Sequence, residues 1–359
     1  MSSGPRLDPS APPPSASGPA AQPTEPASRS RLSWMRENWI FGVLVLIVLV
    51  FSLASGNFLT RANWLNTSST ATEVLLLAVG ETFVIVSGGI DLSVGATLGL
   101  SGMVGGWVMA HFFATGGTPG GIVATIGIVV AIAVGAAVGL VNGVLISRYD
   151  IPSFVVTLGT LGIGTGLADL VANGQEISLL PATIGNIGNT NLGGWLPVPV
   201  VVTAIVTLLA GIVLAKTRFG IFTYTIGDNR EAAVRAGVDD RRHLLKIYVL
   251  AGVLAGVAGV TVMTRLAAAS PTSGANDELN AIAAVVIGGA SLFGGRGTIS
   301  GSLIGTAIIS VLLTGLIIVN VPPFWQLVAV GVVLIAAVYI DQLGSQLRAH
   351  RPIKRGETA

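Results

Sequence analysis

The sequence predicts an all-α membrane protein of about ten transmembrane helices with Gly-rich, broken or re-entrant helix pairs. Three observations carry that prediction. The 359 residues are 52% hydrophobic and only 10% charged, whereas a soluble domain is about a quarter charged. So few charges do not cover a water-facing surface, and lipid removes the need. Gly is abundant, at 48 residues; it weakens water-soluble helices but lets membrane helices approach closely. The basic residues, finally, segregate to one side of the predicted crossings.

Residues 1–37 are rich in Pro, Ser and Ala without periodicity and read as a disordered cytoplasmic tail. A basic patch (Arg29, Arg31, Arg36) precedes the apolar run Ile40 to Phe51. Ser52-Leu53-Ala54 has the small residues of a signal-peptidase site, but the long tail before it favours an uncleaved first span. A span needs about 20 apolar residues. Candidates lie at 38–54, 71–88, 92–113, 121–146, 153–173, 197–216, 244–266, 279–293, 297–319 and 323–343. Gly116-Gly117, Pro119, Pro152 and Pro322-Pro323 mark breaks, and Asn, Gly and Pro crowd 173–199. The membrane domain is therefore 38–345, with a long polar loop at 216–243, and 346–359 form a second cytoplasmic tail.

With the N-terminus inside, ten crossings return the C-terminus inside. Of the 19 Lys and Arg residues, only Arg61 and Arg265 then fall outside. Loops that retain positive charge face the cytoplasm, so both termini are expected there. Gly-x-x-x-Gly spacing recurs at 95/99, 102/106, 135/139, 139/143, 162/166, 252/256 and 301/305, a pattern that predicts helix packing faces. Val84-Ile85-Val86-Ser87-Gly88-Gly89 is echoed by Val285-Val286-Ile287-Gly288-Gly289, with Leu92 and Leu292 at the same spacing beyond. The echo reads as two broken helix pairs or as two plain hairpins.

Three places can carry chemistry. Gly88 to Gly95 places Asp91 and Ser93 where the third helix begins, as an N-cap, a polar gate contact, or both. In the long loop, Gly227-Asp228-Asn229-Arg230-Glu231-Ala232-Ala233-Val234-Arg235-Ala236-Gly237 imitates a capped helix of about two turns. Asp228 and Glu231 form a capping box, Gly237 a stop, and Ala232, Ala233 and Ala236 one small docking face. Such a helix is too short to persist alone. Glu73, Glu81 and Asp169 are carboxylates at membrane depth. An ionised one at the centre costs at least ~2.5–3.5 kcal/mol. Glu81 is central, so it lines a pathway or is buried with partners, whereas Glu73 reads as structural.

Other chemistries find no support. There is no cysteine, and His111, His243 and His350 are far apart in sequence. No phosphate loop, zinc-protease helix or nucleophile elbow occurs. The net charge of +2 does not point to nucleic acid. The chain is expected to be a non-enzyme without a metal or cofactor of its own.

Four ordered segments together resemble the permease family of the ribose, xylose and galactose type of ATP-binding-cassette importers. They are Gly88 to Gly95, Ile151-Pro152-Ser153-Phe154 through Thr160, Gly227 to Gly237, and Pro271 through Glu278, Asn280, Gly288-Gly289 and Gly294-Gly295-Arg296-Gly297. The likeness spans roughly 38–345. It implies a permease homodimer in the bacterial cytoplasmic membrane, carrying a monosaccharide or similar small polar solute. It implies a cytoplasmic ATPase holding ATP and Mg, and an extracytoplasmic sugar-binding protein. It makes Asp228–Ala236 the coupling helix, with Gly227, Asp228, Asn229, Glu231, Ala232, Ala233, Ala236 and Gly237 as its residues. Glu81, Asp91, Ser93, Asp169, Asn280 and Thr314 are the pathway or gate candidates. Thr165-Gly166 stands where the family often has Arg-Gly, and Thr314-Gly315 where Asn-Gly is common; Glu81 and Asp169 replace uncharged residues. The alternative is a secondary transporter coupled to a proton on Glu81 or Asp169. The short capped helix argues against it, since a secondary transporter has no motor to dock there.

Overall fold

The computed structural model describes the backbone of residues 31–349 and the side chains of 40–339 and 342. Of the tail predicted over 1–37, residues 1–30 lie outside the described residues and 31–37 are helical, as the start of α1, rather than disordered; the last ten residues of the predicted C-terminal tail also lie outside the described residues. The chain divides between Trp39 and Ile40. The first unit contributes only the opening turns of α1, and the second holds all the other described elements.

The described helices are α1 (Arg31–Ala54), α2 (Arg61–Val86), α3 (Val94–Ala114), α4 (Gly120–Arg148), α5 (Ser153–Val171), α6 (Ala182–Asn189), α7 (Val198–Lys216), α8 (Arg218–Asp228), α9 (Arg230–Arg235), α10 (Asp240–Leu266), α11 (Asp277–Ile287), α12 (Ile299–Ile318) and α13 (Pro323–Ala349). One antiparallel pair, β1 (Asn191–Leu192) and β2 (Leu196–Pro197), precedes α7. Among the described residues, α2, α3, α4, α5, α7, α10 and α12 are long and apolar enough to cross a membrane. Ile40–Ala54 and Pro323–Tyr339 are shorter apolar stretches.

Local chemistry sets the helix starts. Pro119, Pro152, Pro181 and Pro197 precede α4, α5, α6 and α7; a residue before Pro resists helical geometry, so the helix begins beyond it. Thr60, Asp239 and Thr298 cap α2, α10 and α12 by accepting backbone N–H groups. The core forms around α2, which is buried without a break from Thr72 to Val86. A helix apolar all round is an interior one.

Glycine makes the tightest contacts. Gly135 and Gly139 of α4 lie against Gly252, Gly256 and the Tyr248 carbonyl of α10, where any side chain would collide with backbone. The 301/305 pair meets the backbone of Gly288 and Ala284 in the same way. The 162/166 pair behaves differently: nothing lies within 4 Å of either position. That stripe of α5 is open rather than packed within the subunit.

One predicted span is corrected. Residues 279–293 do not form a crossing helix. α11 has 11 residues, about 16 Å at 1.5 Å per residue, against a hydrocarbon core of about 30 Å. The missing length is supplied by 267–276, which runs back along α3: Ala269 lies against Gly106, Ser273 against Gly99 and Gly274 against Gly95. An antiparallel bridge between Ile177 and Ala269 pins its start, with N–H to O distances of 2.8 and 2.9 Å. The crossing is thus part helix and part non-helical chain, with residues 271–276 folded into successive turns. Non-helical backbone at that depth is tolerated where it packs on protein or lines a cavity; Gly274 is buried against α3, while Thr272, Ala275 and Asn276 are exposed. The Asn- and Pro-rich 173–199 region also holds structure, including α6 packed on the end of α10 at Thr264.

Candidate functional site

Two regions gather the polar residues. The first is a junction at the end of the bundle that carries α8 and α9. α2 and α11 stop there by the same device. Gly89 N–H bonds back to the Val84 carbonyl at 2.9 Å and Ala290 N–H to the Val285 carbonyl at 3.2 Å. The residue before each is a left-handed Gly, Gly88 at φ +88° and Gly289 at φ +90°. This is the six-to-one helix stop that glycine favours, and it is the physical content of the sequence echo. Gly227, at the end of α8, sits on the turn that ends α2 and on the Gly294-Gly295 loop beyond α11. A side chain there would collide with the Val86 carbonyl and crowd Gly295 N, which donates to that carbonyl at 2.9 Å. Tyr224 of α8 also donates to the Gly297 carbonyl at 2.6 Å.

The loop itself differs from expectation in two ways. Asn229, not Asp228, caps α9, its Oδ1 accepting Ala232 N–H at 2.9 Å. Asp228 is the last residue of α8, and Glu231 pairs with Arg235 at 3.2 Å rather than reaching back to the cap. Ala232 and Ala236 are exposed, but Ala233 is fully buried in this subunit's own core. The three alanines therefore do not share one outward face. Gly237 ends α9 with φ +86°.

Ionic contacts tie this loop to the bundle. Arg230 donates through Nη2 to Asp150 Oδ1 at 2.9 Å and through Nε to Asp240 Oδ2 at 2.7 Å. Arg241 Nη2 donates to Asp150 Oδ2 at 3.3 Å. The hydrogen bond from Arg230 holds the Asp150 carboxyl below its usual range.

At the α2–α3 turn, Asp91 Oδ1 accepts from Ser93 N–H at 2.9 Å and from Ser93 Oγ at 2.6 Å, and Ser93 Oγ accepts from Asn142 Nδ2 at 2.8 Å. Asp91 thus closes the turn, while Ser93 takes the cap position of α3. Glu81 lies inside the subunit near Asp91 and Tyr248, fully buried, and neither carboxyl oxygen has a hydrogen-bond partner among the described residues.

The second region is a cleft of about 200 Å³ between α3, α5 and the turns of 271–276 with the start of α11. Gly95 and Gly99 admit the chain; a methyl on Gly99 would sit 2.6 Å from the Ser273 carbonyl oxygen. Thr165, Ser273, Asn276 and Glu278 supply its polar lining, and Leu161, Ala168 and Pro271 its apolar part. Asp169 is exposed on α5 beside Ala168. Asn280 donates to Asp277 Oδ1 at 3.0 Å, within α11. Thr314 is buried in α12, next to Gly315, which touches Phe51 of α1. Ser93, Asp169 and Asn280 are sequence neighbours of the cleft residues Gly95, Ala168 and Glu278 without lining the cleft themselves; Glu81 and Asp91 belong to the interior near the junction.

Sequence reasoning missed an ion pair. Arg265 Nη2 donates to both oxygens of Glu73, at 3.0 and 2.9 Å, tying α10 to α2. The available signal was that each charge is expected near the same outer end. Among the described residues, no group of three or more His, Cys, Asp or Glu side chains is placed to hold a metal.

Residues 62–338 match the family described as branched-chain amino acid transport system / permease component. The chain is 40% identical over 302 residues to the ribose import permease protein RbsC of Bacillus subtilis, covering 83% of this chain and 90% of that protein. It is 37% identical over 307 residues to the D-allose transport system permease protein AlsC of Escherichia coli, covering 85% and 91%. It is 33% identical over 305 residues to the L-arabinose ABC transporter permease protein AraH of Azospirillum brasilense, covering 84% and 87%. No solved structure matches the chain.

Proposed function

The chain belongs to the permease-component family of the branched-chain amino acid transport system, and from that premise we propose how it works as the membrane-spanning subunit of an ATP-binding-cassette importer for a monosaccharide or similar small polar solute. The observation that carries the choice of solute is likeness over more than four-fifths of the chain to permeases named for ribose, allose and arabinose. The cleft at α5 fits that reading. Its volume of about 200 Å³ is of the order of one sugar ring, and its hydroxyl, amide and carboxylate groups can exchange hydrogen bonds with sugar hydroxyls.

Two subunits enclose the pathway in this reading, with the open glycine stripe of α5 toward it. Both termini and α9 lie in the cytoplasm, as the distribution of basic residues supports. A separate ATPase holds ATP and Mg and docks on α9 through Asn229, Glu231, Ala232, Ala236 and Gly237, while Gly227 and Asp228 seat the loop on the α2 turn and the Gly294-Gly295 loop. A binding protein delivers the sugar at the opposite end. Asp169 and Asn280 stand near the path; Asp91 and Ser93 shape the inner turn; Glu81 and Thr314 act from within the subunit.

Proton coupling through Glu81 or Asp169 is disfavoured, because the likeness over more than four-fifths of the chain is to import permeases, one of them named an ABC transporter permease. The test is uptake of labelled D-ribose, D-allose and L-arabinose in cells co-expressing the cognate ATPase and binding protein. ATP depletion should abolish uptake of the transported sugar, and a protonophore at constant ATP should leave it intact. Uptake that tracks the proton gradient instead refutes the proposal.

A further inference from the structure

Asp150 stands where three parts of the molecule meet, away from the α5 cleft. It comes after α4, precedes Pro152 at the head of α5, and turns the chain with a left-handed φ of +52°. Its two oxygens take Arg230 and Arg241. Arg230 is the first residue of α9, and its Nε is also held by Asp240 at the head of α10. These pairs are largely solvent-exposed, and exposed ion pairs add little to stability. Their geometry is more informative than their energy.

Behind the bridge lies a cavity of about 340 Å³, bounded by Gly88, Ile151, Ser153, Ile226, Leu244 and Tyr248. Across this cavity, the head of α5 reaches the α8–α9 segment through the charged bridge. On its other side, that head is tied to the α2–α3 turn. Ile90 N–H donates to Ser153 Oγ at 3.2 Å, and Thr157 Oγ1 donates to the Ile90 carbonyl at 3.3 Å. Farther along, α5 carries the cleft residues Leu161, Thr165 and Ala168. Thr165 is about 18 Å from the head of the helix at 1.5 Å per residue. Among its residues only Val156, Thr157, Gly164 and Ala168 are buried, so most faces of α5 are unpacked within this chain.

We propose that Asp150 is a positioning residue for transport: through Arg230 it makes α5 move with α9, so that displacement of the ATPase-docking segment reshapes the cleft at Thr165 and the turn at Ile90 together. The proposal rests on the reading of α9 as that docking segment.

The test uses the complete complex of permease, ATPase and binding protein in proteoliposomes, with whichever of D-ribose, D-allose and L-arabinose the wild-type complex imports. Asp150→Asn removes the charge while keeping a side chain that tolerates the left-handed backbone. It is compared with Arg230→Gln, the double variant, and Asp150→Glu, which keeps the charge. ATPase retention and hydrolysis should stay at wild-type levels. Sugar imported per ATP should fall roughly 2- to 30-fold in each single variant, the range seen for coupling residues. The double variant should be no worse than either single, and Asp150→Glu should retain most of the coupling. Wild-type import per ATP in Asp150→Asn overturns the proposal, as do losses that multiply in the double variant or loss of the bound ATPase from Asp150→Asn. A cross-link from Ala236→Cys to the ATPase is read in parallel. If it forms, any such failure belongs to Asp150 alone; if it does not form, the docking reading itself is wrong, and the proposal falls with it.

Discussion

Gly227→Ala is the sharpest perturbation the junction offers. The added methyl would meet the Val86 carbonyl and lie 2.7 Å from Gly295 N. Both are backbone atoms, so no flexible side chain can swing away. Overpacking of this kind costs about 1–3 kcal/mol, and losing the Gly295 to Val86 hydrogen bond adds about 0.5–1.5 kcal/mol. The expected penalty is about 2–4 kcal/mol, below a typical total stability of 5–15 kcal/mol. The protein should therefore insert and fold, but with α8 displaced from the α2 turn and the Gly294-Gly295 loop. Gly166→Ala is the control. That position has open space around it, and Ala is favoured over Gly within a helix by about 0.8–1.0 kcal/mol. The assay pairs a thermal melt in detergent with sugar uptake in cells at matched membrane levels. Gly227→Ala should lower both the melting midpoint and uptake, while Gly166→Ala should leave the midpoint unchanged or higher. A wild-type midpoint and wild-type uptake for Gly227→Ala would refute the close-contact junction.

Arg265→Ala strands Glu73, which is 8% exposed; stranding a buried partner costs about 3–5 kcal/mol, and the 26% exposure of the Arg265 side chain places the expected loss at or below the low end. The melting midpoint should fall, and Glu73→Gln added to Arg265→Ala should restore part of it. Ala236→Glu places a charge on the outward side of α9 and should reduce ATPase co-purification without lowering the midpoint, whereas Ala233→Glu buries that charge in the subunit core and should lower the midpoint itself.

The helices were legible because membrane helices need long apolar runs, and the turns because Gly and Pro mark them. α11 escaped because hydropathy does not distinguish a full crossing from a half helix preceded by non-helical chain. Pro271 to Asn276 is polar enough to read as an external loop, and only contact with Gly95 and Gly99 reveals its depth. The spacing 135/139 and the spacing 162/166 are identical in sequence, yet one is packed and the other open; which face meets a neighbour is decided by the fold. At the loop, Asp228 and Asn229 are both good caps. α8 extends through Asp228, leaving Asn229 the free position. Ala233 looked like part of a docking face because small residues suit tight packing of either kind.

The central claim is that solute passes the cleft between α5 and the 271–278 segment under control of the ATPase. The chain has no cysteine, so Thr165→Cys introduces a single reporter in an otherwise unmodified protein. The measurement is its labelling by a membrane-impermeant maleimide in the reconstituted complex, with and without vanadate-trapped nucleotide, and with and without the transported sugar. Val129→Cys, on an exposed apolar position of α4, serves as the lipid-facing control. Thr165→Cys should be labelled, nucleotide trapping should change the rate, and sugar delivered by its binding protein should protect it, while Val129→Cys stays unlabelled throughout. A Thr165→Cys reporter that is silent in every state, or labelled at one rate regardless of nucleotide and sugar, would contradict it.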